Sequence, residues 1–230
     1  MKNFIIGNRL LSVSRLVRRG AVLADIGTDH AYLPIYLMKQ GIISFAYCTD
    51  INRGPLKNAE EGLREAGLLG SAELILTSGA EGLSGLGITD YAICGMGGEL
   101  IAEIISAAPH MKDPEVRLLL QPMTKPERLR EYLWSSGFRI AEECYSYEAD
   151  KYYVAFLAEY IGERVEFSPL DAYFGKELGH SALWSAEKRG YISSRAAALK
   201  KIALGKAAGG ASDKYERELL SALRESYGAE

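Results

Sequence analysis

The sequence predicts an α/β chain. Five parallel strands alternate with helices, the sheet closes with an antiparallel hairpin, and a helical unit follows at the C-terminus. Three observations predict it. Short apolar runs alternate five times with helix-like stretches between residues 21 and 137. The apolar period then drops to two across residues 138–160. From about residue 161 the composition turns to Ala, Leu and Lys.

The elements follow in order. Residues 9–18 place Leu10, Leu11, Val13, Leu16 and Val17 at helical spacing, with arginines between them. The runs 21–26, 45–51, 72–77, 91–94 and 116–121 have the length and apolar continuity of strands buried on both faces. The stretches LPIYLMKQG, GPLKNAEEGLREAG and GELIAEIISAA read as the intervening helices, and KPERLREYLWSSG as the next, with Gly137 as its stop. Strand–helix alternation of this kind requires right-handed crossovers and a parallel sheet. FRIAEECYSYE and KYYVAFLAEY then read as two strands joined at Ala149-Asp150. A nicotinamide-dinucleotide domain repeats its βαβ half and does not end in a hairpin. Class I S-adenosylmethionine methyltransferases, which have a Rossmann-like sheet, do.

The boundary falls near residue 160: 1–160 is the cofactor-binding domain and 161–230 the helical one. In the latter, Leu183, Trp184, Tyr191, Leu199 and Ile202 mark one apolar stripe, and Leu219, Leu220, Leu223 and Tyr227 another. AAGGAS separates them, and Asp213 is placed to cap the second helix. The expectation is an antiparallel helical hairpin, a short coiled coil projecting from the core domain.

Composition narrows the function. With 230 residues and 48% hydrophobic content a sizeable core is available, yet no apolar run approaches the roughly 20 residues of a membrane span. The first 20 residues are interrupted by Arg9, Arg15, Arg18 and Arg19 and carry no secretory pattern, so a cytoplasmic location is expected. Cys48, Cys94 and Cys144 are scattered in apolar stretches, as reduced, buried thiols would be. The three histidines have no spacing that suits a metal. A net charge of −3 argues against a broadly basic nucleic-acid binder. The charge is segregated, however. Lys2, Arg9, Arg15, Arg18 and Arg19 lie within residues 1–24 with no acid, and Lys188, Arg189, Arg195, Lys200, Lys201 and Lys206 lie within 188–212 with none. These segments are either solvated helix faces or contacts for a polyanion.

The first strand runs into Asp25-Ile26-Gly27-Thr28-Asp29-His30-Ala31. A dinucleotide loop brings bare backbone amides against a diphosphate. Asp29 opposes that: two like charges about 4 Å apart at an effective dielectric near 20 cost about 4 kcal/mol before screening. A cofactor with a sulfonium and an ammonium tolerates the acid. Asp50 ends the second strand, where a carboxylate takes both hydroxyls of an adenosine ribose; its bland alternative is a helix cap. TSGAEGL ends the third strand and offers Glu81 and flexible backbone to an adenine ring. CGMGG ends the fourth and puts bare backbone at the carboxyl edge. The Asn/Asp-Pro-Pro-aromatic tetrapeptide that grips an exocyclic amine is absent there, which favours a ring nitrogen as methyl acceptor.

DIGTDHAYLPIYL, TDIN, GMGGELI and LLLQP together resemble the bacterial tRNA adenine-N1 methyltransferases that modify position 22, across residues 3–160. One departure stands out: Ala80-Glu81-Gly82-Leu83 replaces the usual Gly-Asp-Gly-Leu. The resemblance implies methyl transfer from S-adenosylmethionine to N1 of an adenine in tRNA. It implies cofactor contacts at Asp25, Gly27, Thr28, Asp29, His30, Asp50, Ile51, Asn52, Ala80, Glu81, Gly95, Met96 and Gly97. Asp29 is the catalytic candidate, stabilising the cationic product or taking a proton from N6; binding the cofactor ammonium and capping the next helix are its alternatives. His30 is either beside the cofactor or structural. Tyr32 either stacks on a base or is a buried helix aromatic. A large RNA substrate makes Arg9, Arg15, Arg18, Arg19, Lys188, Arg189, Lys200 and Lys201 candidate phosphate ligands. The remaining readings are a small-molecule or other-RNA methyltransferase, a non-enzymatic adaptor on the same scaffold, and a nicotinamide oxidoreductase.

Overall fold

The computed structural model describes residues 5–176 and 184–227. Lys2, Leu183 and the side chain of Tyr227 lie outside the described residues. Strands β1 (Val22–Ile26), β2 (Phe45–Asp50), β3 (Ala72–Leu76), β4 (Asp90–Gly97) and β5 (Arg117–Thr124) are parallel. Strands β6 (Phe138–Glu148) and β7 (Lys151–Tyr160) form the hairpin, and β7 inserts antiparallel beside β5. The order is β3-β2-β1-β4-β5-β7-β6. The strand order therefore reverses between β1 and β4, and a crevice opens at their carboxyl ends. The hairpin turn is Ala149-Asp150, with φ of 48° and 60°, the backbone of a two-residue turn that follows the strand twist. β6 is the outermost strand, with a register shift between Ile140 and Glu142.

Helices α1 (Asn8–Ser14), α2 (Tyr32–Lys39) and α3 (Arg53–Glu65) cover one face through Val13, Leu33, Ile35, Leu37 and Leu63. Helices α4 (Gly98–Ser106) and α5 (Pro126–Ser135) cover the other through Ile101, Ile105, Leu129 and Leu133. Each such side chain contributes about 1.5–3 kcal/mol by leaving water. α1 stops at Ser14, four residues short of the span its apolar spacing predicts. The cause is distant in sequence: Arg18 gives its backbone N–H and its Nε to the buried Asp90 carboxylate, at 3.1 and 2.8 Å, and its Nη2 to the carbonyls of Thr89 and Glu115. That pull turns the chain while Leu16 and Val17 still enter the core.

A short helix, α6 (Pro169–Phe174), precedes the predicted pair. Ser168 and Asp171 form a reciprocal capping box around Pro169 at its start. The pair itself is α7 (Ala186–Ala208) and α8 (Lys214–Tyr227). Asp213 precedes α8, and its carboxylate accepts from Arg217 Nε at 2.6 Å. The hairpin does not simply project. The first half of α7 lies on the β6–β7 ribbon: Gly190 is bare because a Cβ would collide with the Tyr152 ring, and Tyr191 is buried 5.2 Å from Tyr145. Arg195 pairs with Glu127 of α5 at 2.7 Å and lies over the Tyr173 ring at 3.9 Å. Tyr191, Ile192, Leu199, Leu219 and Leu223 thus belong to the same core as α4 and α5. Exposed Ile202 and half-buried Trp184 make the first apolar stripe less continuous than its spacing implies.

Arg130 of α5 is fully buried. Its Nε and Nη2 reach the two Glu143 oxygens at 2.7 and 3.3 Å, its Nη1 reaches the Ala172 carbonyl at 3.1 Å, and it covers the Phe156 ring. Tyr145 donates to the same Glu143 at 2.5 Å. One charge pair therefore joins α5, β6 and α6.

Candidate active site

The carboxyl edge is assembled from the ends of β1, β2, β3 and β4. Asp25 lies on β1 between Cys48 of β2 and Ala92 of β4 and is 8% exposed. Burial pushes its carboxyl up to about 6. Thr28 Oγ1 is near enough to offset a little of that rise, yet it is buried with no partner of hydrogen-bonding geometry. Burial also pushes the Cys48 and Cys94 thiols up, with Asp25 adding to both, so neither is a thiolate at neutral pH. All three cysteines are free, but only Cys48 is fully buried; Cys94 and Cys144 are half-buried.

Gly27 has φ of +73°, and a Cβ there would collide with Met96 Cε. The first crossover loop is thereby pressed against the glycine turn of β4. Gly95 has φ of +80° in that turn, where the ladder to β5 shifts register. Sequence reasoning overlooked what supports the turn. Gln121, buried on β5, accepts from the Gly95 amide at 3.2 Å and from Arg9 Nη1 at 2.5 Å. Arg9 is thus tied to the reaction edge from α1, and less free for a phosphate than its sequence context suggests. A lone polar residue closing the apolar run LLLQ was the available signal.

Asp29 is exposed and accepts from Asn58 Nδ2 of α3 at 3.1 Å, while His30 Nε2 stands 3.5 Å from its other oxygen. It does not cap α2, which begins at the left-handed Ala31 with no side-chain cap. Tyr32 is exposed, contrary to a buried helix aromatic, because its ring stacks on His30 at 5.0 Å. Asp50 Oδ1 accepts from the Asn52 amide at 2.7 Å, an Asx turn at the strand end rather than a cap on α3, which starts at Asn52 without one. Ile51 beside it is 65% exposed. At the end of β3, Ala80 is buried and Glu81 exposed, and the Glu81 backbone is fixed by Ser78 and Thr77. A Cβ on Gly97 would press on the Thr124 hydroxyl of β5 at 3.2 Å.

The hydrogen bonding of this edge suits a cation. The Gly27 and Thr28 amides both donate to the Thr49 carbonyl at 2.8 Å. The Gly95 amide is spent on Gln121 and the Asn52 amide on Asp50. Those are the donors a diphosphate needs. The side chains at this edge are instead the buried Asp25, the half-buried Asp50 and the exposed Asp29, carboxylates that fit the sulfonium, ammonium and ribose of S-adenosylmethionine. Among the described residues no cluster of three or more His, Cys, Asp or Glu could hold a metal ion, and no helix is long and apolar enough to cross a membrane.

The basic residues divide. Arg15 and Lys188 both line a cavity between α1, β6 and the start of α7. Arg189, Lys200 and Lys201 are exposed along α7. Arg18 departs from a solvent-facing phosphate ligand because its guanidinium is committed to Asp90 at the amino edge of β4, with exposed Arg19 beside it.

A methyltransferase-domain family model matches residues 6–156. The tRNA (adenine(22)-N(1))-methyltransferase of Bacillus subtilis (strain 168) is 33% identical over 159 residues, which cover 69% of this chain and 67% of that protein. Among solved structures, the B. subtilis m1A22 tRNA methyltransferase TrmK superposes with a TM-score of 0.79 at 26% identity, covering 97% of this chain and 96% of that one. M. capricolum TrmK, solved with S-adenosyl-homocysteine, gives 0.74 at 27% identity over 96% and 95%. These alignments continue past the sheet into the C-terminal helices. On the joint weight of the acid-lined crevice, the family model and a relative one-third identical, the chain belongs to the tRNA (adenine(22)-N(1))-methyltransferase family.

Proposed function

We propose that this protein transfers a methyl group from S-adenosylmethionine to N1 of adenine 22 in tRNA. The observation that carries the reading is the 33% identity to an enzyme of that activity, in a chain whose crevice presents acids where a phosphorylated cofactor needs donors. When bound, S-adenosylmethionine supplies an electrophilic methyl group on a sulfonium. Asp50 takes the ribose hydroxyls with the oxygen turned away from Asn52. Ile51 and Ala80 give apolar surface to the purine, and Glu81 accepts from its amine. Asp25, His30 and Thr28 line the amino-acid end, and Gly95, Met96 and Gly97 leave room for the incoming base. Adenine N1 carries its own lone pair at neutral pH, so no base is required to start. Orientation therefore supplies most of the rate, with effective molarities that reach about 10⁵ M or more. Asp29, steadied by Asn58, stabilises the positive charge that N1 methylation leaves on the ring.

An adenine within folded tRNA has to be extruded, at a cost of a few kcal/mol. Arg15, Arg19, Lys188, Arg189, Lys200 and Lys201 supply phosphate contacts that offset it. The test is to incubate the protein with S-adenosylmethionine and unmodified tRNA, then digest to nucleosides and map the product. The expected result is 1-methyladenosine at position 22. Bound cofactor with no methylated nucleoside would overturn the tRNA reading in favour of a small-molecule acceptor.

A further inference from the structure

A cavity of about 950 Å³ lies away from the cofactor crevice. It lies between α1, β6 and the first turn of α7, and it is lined by Leu11 of α1 and Arg15 just after it, Ser146 and Tyr147 of β6, and Lys188 of α7 with Trp184 just before that helix. A cavity of this size accepts a drug-sized organic ligand. It adjoins the reaction edge through α1. Asn8 donates to the Tyr147 carbonyl at 3.0 Å on the cavity side, while the next residue, Arg9, reaches Gln121 and the Gly95 turn.

Three features point to its occupant. Tyr147 is 43% exposed, with its ring 4.7 Å from Tyr152, and Lys188 Nζ lies 5.7 and 5.5 Å from the Tyr145 and Trp184 rings. The cavity is thus walled by aromatic surface and a cation, the combination on which unpaired bases stack. Second, Tyr147 and its cross-strand neighbour Tyr152 share the face of the β6–β7 ribbon on which α7 lies, so the exposed ring is backed by a second one. Third, of the two acids in the wall, Glu143 is consumed by Arg130 and Tyr145, which leaves Glu187 against Arg15 and Lys188 and a net positive wall.

We propose that this cavity receives an unstacked nucleotide of the tRNA flanking the target adenine, stacked on the exposed Tyr147 ring, with its phosphate held by Arg15. The proposal rests on the tRNA methyltransferase reading. It gives the enzyme a second grip that holds the RNA open while the target base turns into the crevice.

The test uses two variants and modified tRNA. Tyr147→Ala removes a largely exposed ring, so it should cost little thermal stability, yet raise KM for tRNA roughly 3- to 10-fold. Leu11→Trp fills the cavity and should raise KM roughly 10-fold or more with S-adenosyl-homocysteine affinity unchanged. A tRNA abasic at one of the two positions flanking the target should lose about the same factor with wild-type enzyme, and lose nothing further with Leu11→Trp. If Tyr147→Ala leaves KM for tRNA unchanged, or both flanking abasic tRNAs react like intact tRNA, the cavity holds no nucleotide. If wild-type enzyme methylates no tRNA at all, it is the activity reading that fails instead.

Discussion

Asp25→Asn should make the protein more stable, and increasingly so as pH rises. In the folded chain burial holds the Asp25 carboxyl at about 6 against an ordinary 3.8. A folded value above the unfolded one means that the native state binds the proton more tightly. The stability this contributes is full below about pH 4 and is lost as pH climbs through 6. At neutral pH and above the loss amounts to about 3 kcal/mol, and at pH 5 it is about half that. Asparagine carries no such dependence. The variant-minus-wild-type stability should therefore grow by about 1.5 kcal/mol between pH 5 and pH 8, measured by urea unfolding at both. The change with pH is the readout, because the new amide has donors of its own to satisfy. Binding should move the other way. A cationic ligand draws the carboxyl into its charged form, so wild-type affinity for S-adenosylmethionine should rise from pH 5 to 7 and that of the variant should stay flat and lower. A stability difference independent of pH, or a variant weaker at pH 8, would refute the claim that Asp25 is a desolvated carboxylate waiting for a cation.

Four further outcomes are expected. Arg130→Met should cost about 3–5 kcal/mol in urea unfolding because it strands the Glu143 carboxylate, and adding Glu143→Leu should recover most of it. Asp50→Ala should weaken S-adenosyl-homocysteine binding roughly 10- to 100-fold by calorimetry while costing only about 1 kcal/mol in unfolding for the lost Asn52 turn bond, since charged hydrogen bonds to hydroxyls are worth about 1.5–3 kcal/mol. Asp29→Asn should lower kcat roughly 10-fold or more while the cofactor Kd moves less than about threefold, whereas a loss in Kd alone would assign Asp29 to the ammonium. Lys200→Glu with Lys201→Glu should weaken tRNA binding and flatten its salt dependence by about one log unit per lost phosphate contact, with cofactor affinity unaltered.

The five parallel strands were legible because strands buried on both faces must be short apolar runs, and β6 and β7 because a ribbon with unlike faces alternates. The candidacy of Asp25, Asp29, Asp50 and Glu81 was legible from position, since each lies at the end of a strand or in the loop after it. What supports them was not. Asn58 reaches Asp29 from 29 residues away and Arg9 reaches Gln121 from 112, and local spacing carries no trace of either. The same holds for the early stop of α1, set by Asp90 across 72 residues of chain. Tyr32 was expected inside because it opens an apolar helix, but its neighbour His30 offers it a stacking face outside. The α6 helix had its signal in Ser168-Pro169-Leu170-Asp171, obscured by a change of composition a few residues earlier.

The way α7 lies on the hairpin has a consequence for how this chain can be divided. β6 is an eleven-residue edge strand, and a bare edge of that length invites another copy to pair with it. Its register shift and its run of glutamates blunt that tendency, but Tyr145 and Tyr152 still depend on Tyr191 and Gly190 for cover. Arg130 depends on the Ala172 carbonyl for one of its donors. A chain cut at residue 160 would thus be an adhesive fragment rather than a smaller enzyme, because the helical appendage doubles as the cover for that face of the sheet.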